Sequence, residues 1–185
     1  MMRKAFTVLL LLILSLSCAR AQRYTFGTNA VDILTFGTLN AEASASFSRH
    51  GSVHVGAELN PWEFRSGDPE RQLQVKQMSY WGGLRYWPWY VYSGWWAGAD
   101  ARYTVYNGGG VIERDTEEGT AWGGGLYAGY GIMLGDRWNL DLGVGLWGGY
   151  KSYTRYSCPL CGRVTDEGET WFAVPDARIA VQLVF

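Results

Sequence analysis

The sequence predicts an all-β protein, an eight-stranded antiparallel up-and-down transmembrane β-barrel, and three observations predict it. After the first 21 residues there is no apolar run of about 18 residues, so no membrane-spanning helix is available. Apolar side chains instead recur at every second position, over stretches matching the ~9–11 residues of a membrane-crossing strand. The composition sets 25 glycines and 29 aromatic residues beside only five prolines. Strands cross a bilayer only as a closed barrel, because an open sheet edge would leave backbone groups unpaired in hydrocarbon.

The elements follow in order. Tyr24 to Thr35 is a first strand whose alternation slips near Asp32, as at a bulge. Asn40 to Ser48 sets Ala41, Ala43, Ala45 and Phe47 against Asn40, Glu42, Ser44 and Ser46. Ser52 to Trp62 sets Val53, Val55, Ala57 and Leu59 against His54, Glu58 and Asn60. Val75 to Trp87 carries Met78, Tyr80, Leu84 and Tyr86 against Gln77, Ser79, Gly83 and Arg85. Trp95 to Tyr106 alternates alanines, Tyr103 and Val105 with Asp100, Arg102 and Thr104.

The contrast is sharpest in the next two strands. Thr120 to Leu134 places Trp122, Leu126, Tyr130 and Ile132 opposite four glycines, and Leu134-Gly135-Asp136-Arg137 makes a tight turn. Arg137 to Lys151 places Trp138, Leu140, Leu142, Val144 and Leu146 opposite Asn139, Asp141, glycines and Trp147. Ala173 to Phe185 ends the chain with Ile179, Val181, Leu183 and Phe185 against Asp176, Arg178 and Gln182.

Long polar connections are expected at Glu63–Gln72, Asn107–Gly119 and Ser152–Phe172, on the side opposite the termini. Short ones fall at Arg49–Gly51, Trp87–Ser93 and Leu134–Asp136. Tryptophans and tyrosines gather near strand ends, as in membrane-interface girdles.

The first 21 residues read as an export signal: Arg3 and Lys4, an apolar run from Ala5 to Leu16, and Ala19-Arg20-Ala21 as the cleavage site. Cys18 would anchor a lipoprotein instead, but the leucine of Ser15-Leu16-Ser17 stands one place later than such sites usually have it. The mature domain is then 22–185, with 13 basic against 17 acidic residues. That balance gives no reason to expect a nucleic-acid partner.

Alternation alone leaves a soluble lipocalin-like barrel open. Against it, the second face is mostly glycine and serine, with nearly balanced charges rather than a lysine- and glutamate-rich water surface. Glu42, Glu58, Asp100, Asp141 and Asp176 stand against Arg85, Arg102, Arg178 and Lys151, a set suited to ion pairs in a narrow lumen, with His54 beside them.

The order N-A-V-D-I-L (29–34), L-N-A-E (39–42), E-L-N-P-W (58–62), G-L-R-Y-W (83–87), G-Y-G (129–131) and Y-S-C-P-L-C-G (156–162) resembles a group of short Bacteroidetes outer-membrane proteins. They are catalogued as a domain of unknown function, number 3575. The resemblance covers nearly the whole mature chain. It implies a barrel whose final strand ends on an aromatic residue, here Phe185, like the signal read by the barrel-assembly machinery. It implies no established activity. The neighbourhood of such proteins to fimbrial genes suggests an accessory role in surface assembly.

Candidate chemistry is sparse, and no cofactor is expected. Cys158 and Cys161 are half of a zinc site with no second pair, and no βαβ context supports thioredoxin-like redox work, so a local disulfide at an external loop tip is expected. His54 is expected to pair with Glu58, Asp100 or Asp141. Glu113, Asp115, Glu117 and Glu118 read as a solvated loop face rather than a calcium site. The expected function is a non-enzymatic outer-membrane protein presenting loops; the alternatives are a lipid-modifying enzyme of the membrane or a narrow channel.

Overall fold

The computed structural model describes residues 23–64, 73–109, 115–157 and 162–185. Its elements are β1 (Tyr24–Asn29), α1 (Ala30–Leu34), β2 (Leu39–Ser46), β3 (Gly51–Asn60), β4 (Glu63–Phe64), β5 (Leu73–Tyr86), β6 (Gly94–Gly109), β7 (Thr116–Met133), β8 (Trp138–Tyr156) and β9 (Val164–Val184). All pairings are antiparallel. β3 pairs with β5, and β9 returns to pair with β1, so eight strands close into a ring. The two-residue β4 lies on the edge of β5 beyond the end of β3.

The wall is uneven. Strand length climbs around the ring from 6 residues in β1 to 21 in β9. At about 3.3 Å per residue, that is roughly 20 Å against 70 Å. β9 meets β1 only through Ala180–Val184, so its upper part has β8 on one side and no strand on the other among the described residues. Asn29 finishes the ladder where β1 stops. Its Oδ1 accepts from the Ile179 N–H at 2.9 Å, and its Nδ2 donates to the Ala177 carbonyl at 3.4 Å. Next along this edge comes Pro175, which has no N–H to leave unpaired.

The side chains are distributed inside out. Among the described residues, seven hydrophobic side chains are buried against sixteen polar or charged ones, while 36 large hydrophobic residues are exposed. Polar groups therefore fill the ring and apolar groups coat it. Glycines on the inner face make room for the few large interior rings: a Cβ on Gly129 or Gly143 would lie 2.5 or 2.9 Å from the Trp96 ring. On the outer face Tyr80, Tyr103, Trp122, Tyr150 and Trp171 stand directly opposite one another across five successive strands. Tyr150 and Trp171 meet edge to face at 5.3 Å, a favourable aromatic geometry.

The eight expected strands are all present, with four corrections. The first strand ends at Asn29, and the slip at Asp32 is a turn of helix: the Asn29 side chain accepts from the Val31 N–H and caps α1. The segments 107–119 and 152–172 are largely strand, because β6 and β7 pair out to Gly109↔Thr116 and β8 and β9 out to Tyr156↔Val164. Both faces of these extensions are polar enough that alternation does not mark them. Third, the tryptophans and tyrosines of the 87–93 link divide: Trp89 and Tyr90 are exposed, whereas Trp87 and Tyr92 are buried. Last, β3 ends at Asn60 rather than Trp62, since the Asn60 side chain turns the chain by accepting from the Trp62 N–H.

Candidate functional site

The interior is built in layers from the end that holds the termini. The 87–93 turn folds inward there, and Tyr92 takes a left-handed φ of 65° to do so. Trp87, Val91 and Tyr92 pack with Trp96 and Val184 into an aromatic plug. Trp87 Nε1 donates to Ser52 Oγ at 3.1 Å, Tyr92 OH donates to the Arg23 carbonyl at 3.1 Å, and Asn139 Nδ2 donates to the Tyr92 carbonyl at 2.8 Å. His50 braces the turn from outside, with Nδ1 2.9 Å from the Trp87 carbonyl.

Next comes a four-membered ion cluster drawn from β2, β5, β8 and β9. Glu42 receives Arg85 at 2.9 Å and Arg178 at 2.7 Å, while Asp141 receives Arg178 at 2.8 Å and Arg85 at 3.4 Å. Two acids face two bases, so the layer is neutral. Trp96 Nε1 donates to Asp141 at 2.6 Å and Trp81 Nε1 to Glu42 at 3.2 Å, using acceptor capacity that burial would otherwise strand. Arg85 also lies 4.7 Å from the Trp96 ring centroid, a cation–π contact.

Above this cluster Arg102 reaches across to Asp176 at 2.9 Å, with Tyr127 OH shared between them. Its guanidinium lies 5.2 Å from both the Trp81 and Trp147 ring centroids. Glu58 accepts from Gln77 at 3.2 Å. A cavity of about 40 Å³ opens here, bounded in part by Asp32, His54, Glu58, Asp100, Arg102 and Asp176. α1 packs against β9 and β2 and contributes Asp32 to this layer. Burial, and then the nearby Glu58, push the Asp32 carboxyl up to about 6.

That shift predicts a pH-dependent effect. The folded state holds the Asp32 proton more tightly than the unfolded chain, so a stability cost grows as pH rises through the acid range to about 6 and is constant above it. Asp32→Asn is expected to stabilise the protein by about 1–2 kcal/mol at pH 7.5, allowing for partial solvent screening, and by almost nothing at pH 4. Urea midpoints of both proteins at the two pH values measure it. An equal gain at both would show a carboxyl that is fully solvated.

The outermost layer is a hub on Glu117, which takes Lys151 at 2.5 Å, Arg155 at 3.0 Å and Tyr106 at 2.8 Å. Beside it Val75, Trp147, Phe172 and Val174 line an open cleft of about 330 Å³.

The structure places Glu42, His54, Glu58, Arg85, Asp100, Arg102, Asp176 and Arg178 around one cavity, buries Asp141 beside them and sets Lys151 against Glu117, but not with all the predicted partners. Glu42, Arg85, Asp141 and Arg178 form one cluster, and Arg102 takes Asp176. His54 is buried without the expected acid: its Nδ1 has no hydrogen-bond partner. Phe185 is half exposed at the rim, its N–H donating to the Tyr24 carbonyl. Glu117 and Glu118 lie on a strand rather than a loop. Cys158 and Cys161, with the export signal and Cys18, lie outside the described residues. Asp32 and Trp81 were missed as interior groups; an asparagine three residues before an aspartate is a helix-start signal that could have flagged the first.

The interior serines are buried and hydrogen-bonded. Ser52 is taken by Trp87, Ser44 by Tyr92, and Ser79 by Thr104. No group of three histidine, cysteine or acidic side chains among the described residues converges to hold a metal. One comparison decides the family, since its sequence profile matches residues 6–185, nearly the whole chain. The chain belongs to the family of proteins of unknown function DUF3575. No curated protein and no solved structure matches it.

Proposed function

We propose that this member of DUF3575 is an eight-stranded transmembrane β-barrel of a bacterial outer membrane, a non-enzymatic surface protein whose tall β5–β9 wall projects outside the cell. The reversed distribution of side chains carries the reading. A water-soluble ring would place its 36 exposed large hydrophobics inside and its buried acids and arginines outside. Aromatic residues bracket aliphatic stretches of bilayer length on the outer face: Trp95 and Tyr103 on β6, Trp122 and Tyr130 on β7. The ends of β8 and β9 outrun any bilayer, which suits a protein that displays a wall to partners.

The plug of Trp87, Val91, Tyr92 and Trp96 and the ion cluster above it obstruct the interior, which speaks against a conducting channel. The engaged serines speak against a serine-based lipid hydrolase. Phe185 at the rim fits recognition by the barrel-assembly machinery, and the projecting wall fits an accessory role in envelope stability or fimbrial assembly. The test is fractionation with gel mobility. The protein is expected in outer-membrane fractions and to migrate differently in SDS before and after boiling, as closed barrels resist detergent. Recovery as a periplasmic protein without a mobility shift would falsify the reading.

A further inference from the structure

β9 leaves the wall open along one edge. Two contacts fix which way its backbone groups point: the Ile179 N–H and the Ala177 carbonyl both turn toward Asn29 at the end of β1, away from β8. The ladder to β8 is regular from Asp166 onward, so backbone direction alternates residue by residue. Counting back by twos, Ala173, Trp171, Glu169 and Glu167 turn their N–H and C=O groups to the open side. β1 has ended by then, and no strand lies beside them among the described residues. Of these groups only the Trp171 carbonyl is touched, by the neighbouring Thr170 hydroxyl at 3.4 Å.

The edge is also poorly protected. On the other side of the wall β4 covers the upper end of β5, pairing Glu63 with Gln74 and Phe64 with Leu73. β9 has no such cover, and between Val164 and Val174 it carries no proline, lysine or arginine. Its charges there are all acidic: Asp166, Glu167 and Glu169. A second copy of this chain is therefore a poor occupant, since two such edges would bring three acids each onto one ladder with no base.

Side-chain direction defines the strand that fits. Glu167, Glu169 and Trp171 are exposed on the outer face, so outward residues of an added strand stand beside two carboxylates and an indole. Lysine or arginine suits both. Phe172 and Val174 face inward and line the open cleft of about 330 Å³ with Val75 and Trp147, so inward residues there are apolar. We propose that the β9 edge from Glu167 to Ala173 binds an extended segment of a partner protein as an added strand, basic on its outward face and apolar on its inward face. This rests on the reading that the wall projects beyond the bilayer, where a partner can reach it.

The test uses the full mature protein in detergent and a fluorescent peptide alternating lysine with valine. Saturable binding by anisotropy is expected, with hydrogen-exchange protection of residues 167–173. A peptide alternating glutamate with valine should bind at least about tenfold more weakly, and Glu167→Lys with Glu169→Lys should reverse that preference. Ala173→Pro removes an edge N–H that the β8 ladder does not use, so it should keep the fold and weaken binding about tenfold. Gel mobility before and after boiling is read on the same samples. Failure of the lysine peptide to bind, equal binding of both peptides, or binding without protection of 167–173 overturns this proposal. Loss of the mobility shift overturns the membrane reading instead, so the two failures are told apart.

Discussion

Leu126→Arg is expected to destabilise the protein by about 2–4 kcal/mol in lipid and to cut its outer-membrane level sharply. The expectation opposes the usual rule for exposed positions. Leu126 is 72% exposed, and a charge at such a site on a water-facing surface normally changes stability by within about 0.5 kcal/mol. Its surroundings set the larger cost. Leu126 lies midway between Trp122 and Tyr130 on the outer face of β7, and its row reads Leu84, Ala99, Leu126, Leu146, Pro175 across five strands, with no polar side chain. An arginine there has no near neighbour to pair with and must stretch past the aromatic residues to reach water. Trp171→Arg, higher on the same wall, should cost less because water is close. Urea unfolding of both variants in lipid vesicles gives the comparison. If Leu126→Arg folds as well as wild type and stays soluble without detergent, the outer face meets water and the membrane reading is lost.

Period two revealed the strands where one face is apolar and the other is not, as in β7 between Trp122 and Ile132. It failed beyond that band. From Lys151 to Tyr156 both faces of β8 carry polar or aromatic side chains, because both meet water or polar neighbours, and no contrast remains to count. α1 was illegible for another reason: five residues are too few to show a helical period, and only the Asn29 cap betrays it. The interior charges were legible by parity alone, since odd and even positions of a strand take opposite faces. Their pairing was not. Glu42 and Arg178 stand 136 positions apart and meet across the closed ring, a contact fixed by ring closure and tilt rather than by anything local in sequence. His54 shows the limit of parity, for the right face brought it to a cavity and left its Nδ1 without a hydrogen-bond partner.

Asp141→Ala should produce the largest loss of stability among single substitutions in the interior, about 3–5 kcal/mol. Asp141 is fully buried and accepts from Arg178 at 2.8 Å, Arg85 at 3.4 Å and Trp96 at 2.6 Å. Its removal leaves two guanidiniums sharing Glu42 and an indole N–H without an acceptor. The cost comes from the stranded partners more than from the lost attraction, since a paired buried charge gains little over an apolar group of the same shape. Two further variants separate these causes. Asp141→Asn keeps an acceptor for Trp96 but not the charge, so it should recover part of the loss. The double variant Asp141→Ala with Arg178→Met removes one acid and one base together and restores neutrality with Glu42 and Arg85. Its cost should fall short of the sum of the two single changes by at least about 1 kcal/mol. Urea unfolding in lipid vesicles measures all four proteins. A loss well under about 1 kcal/mol for Asp141→Ala would mean that water reaches the cluster, and planar-bilayer conductance would then test whether the interior passes ions despite its aromatic plug.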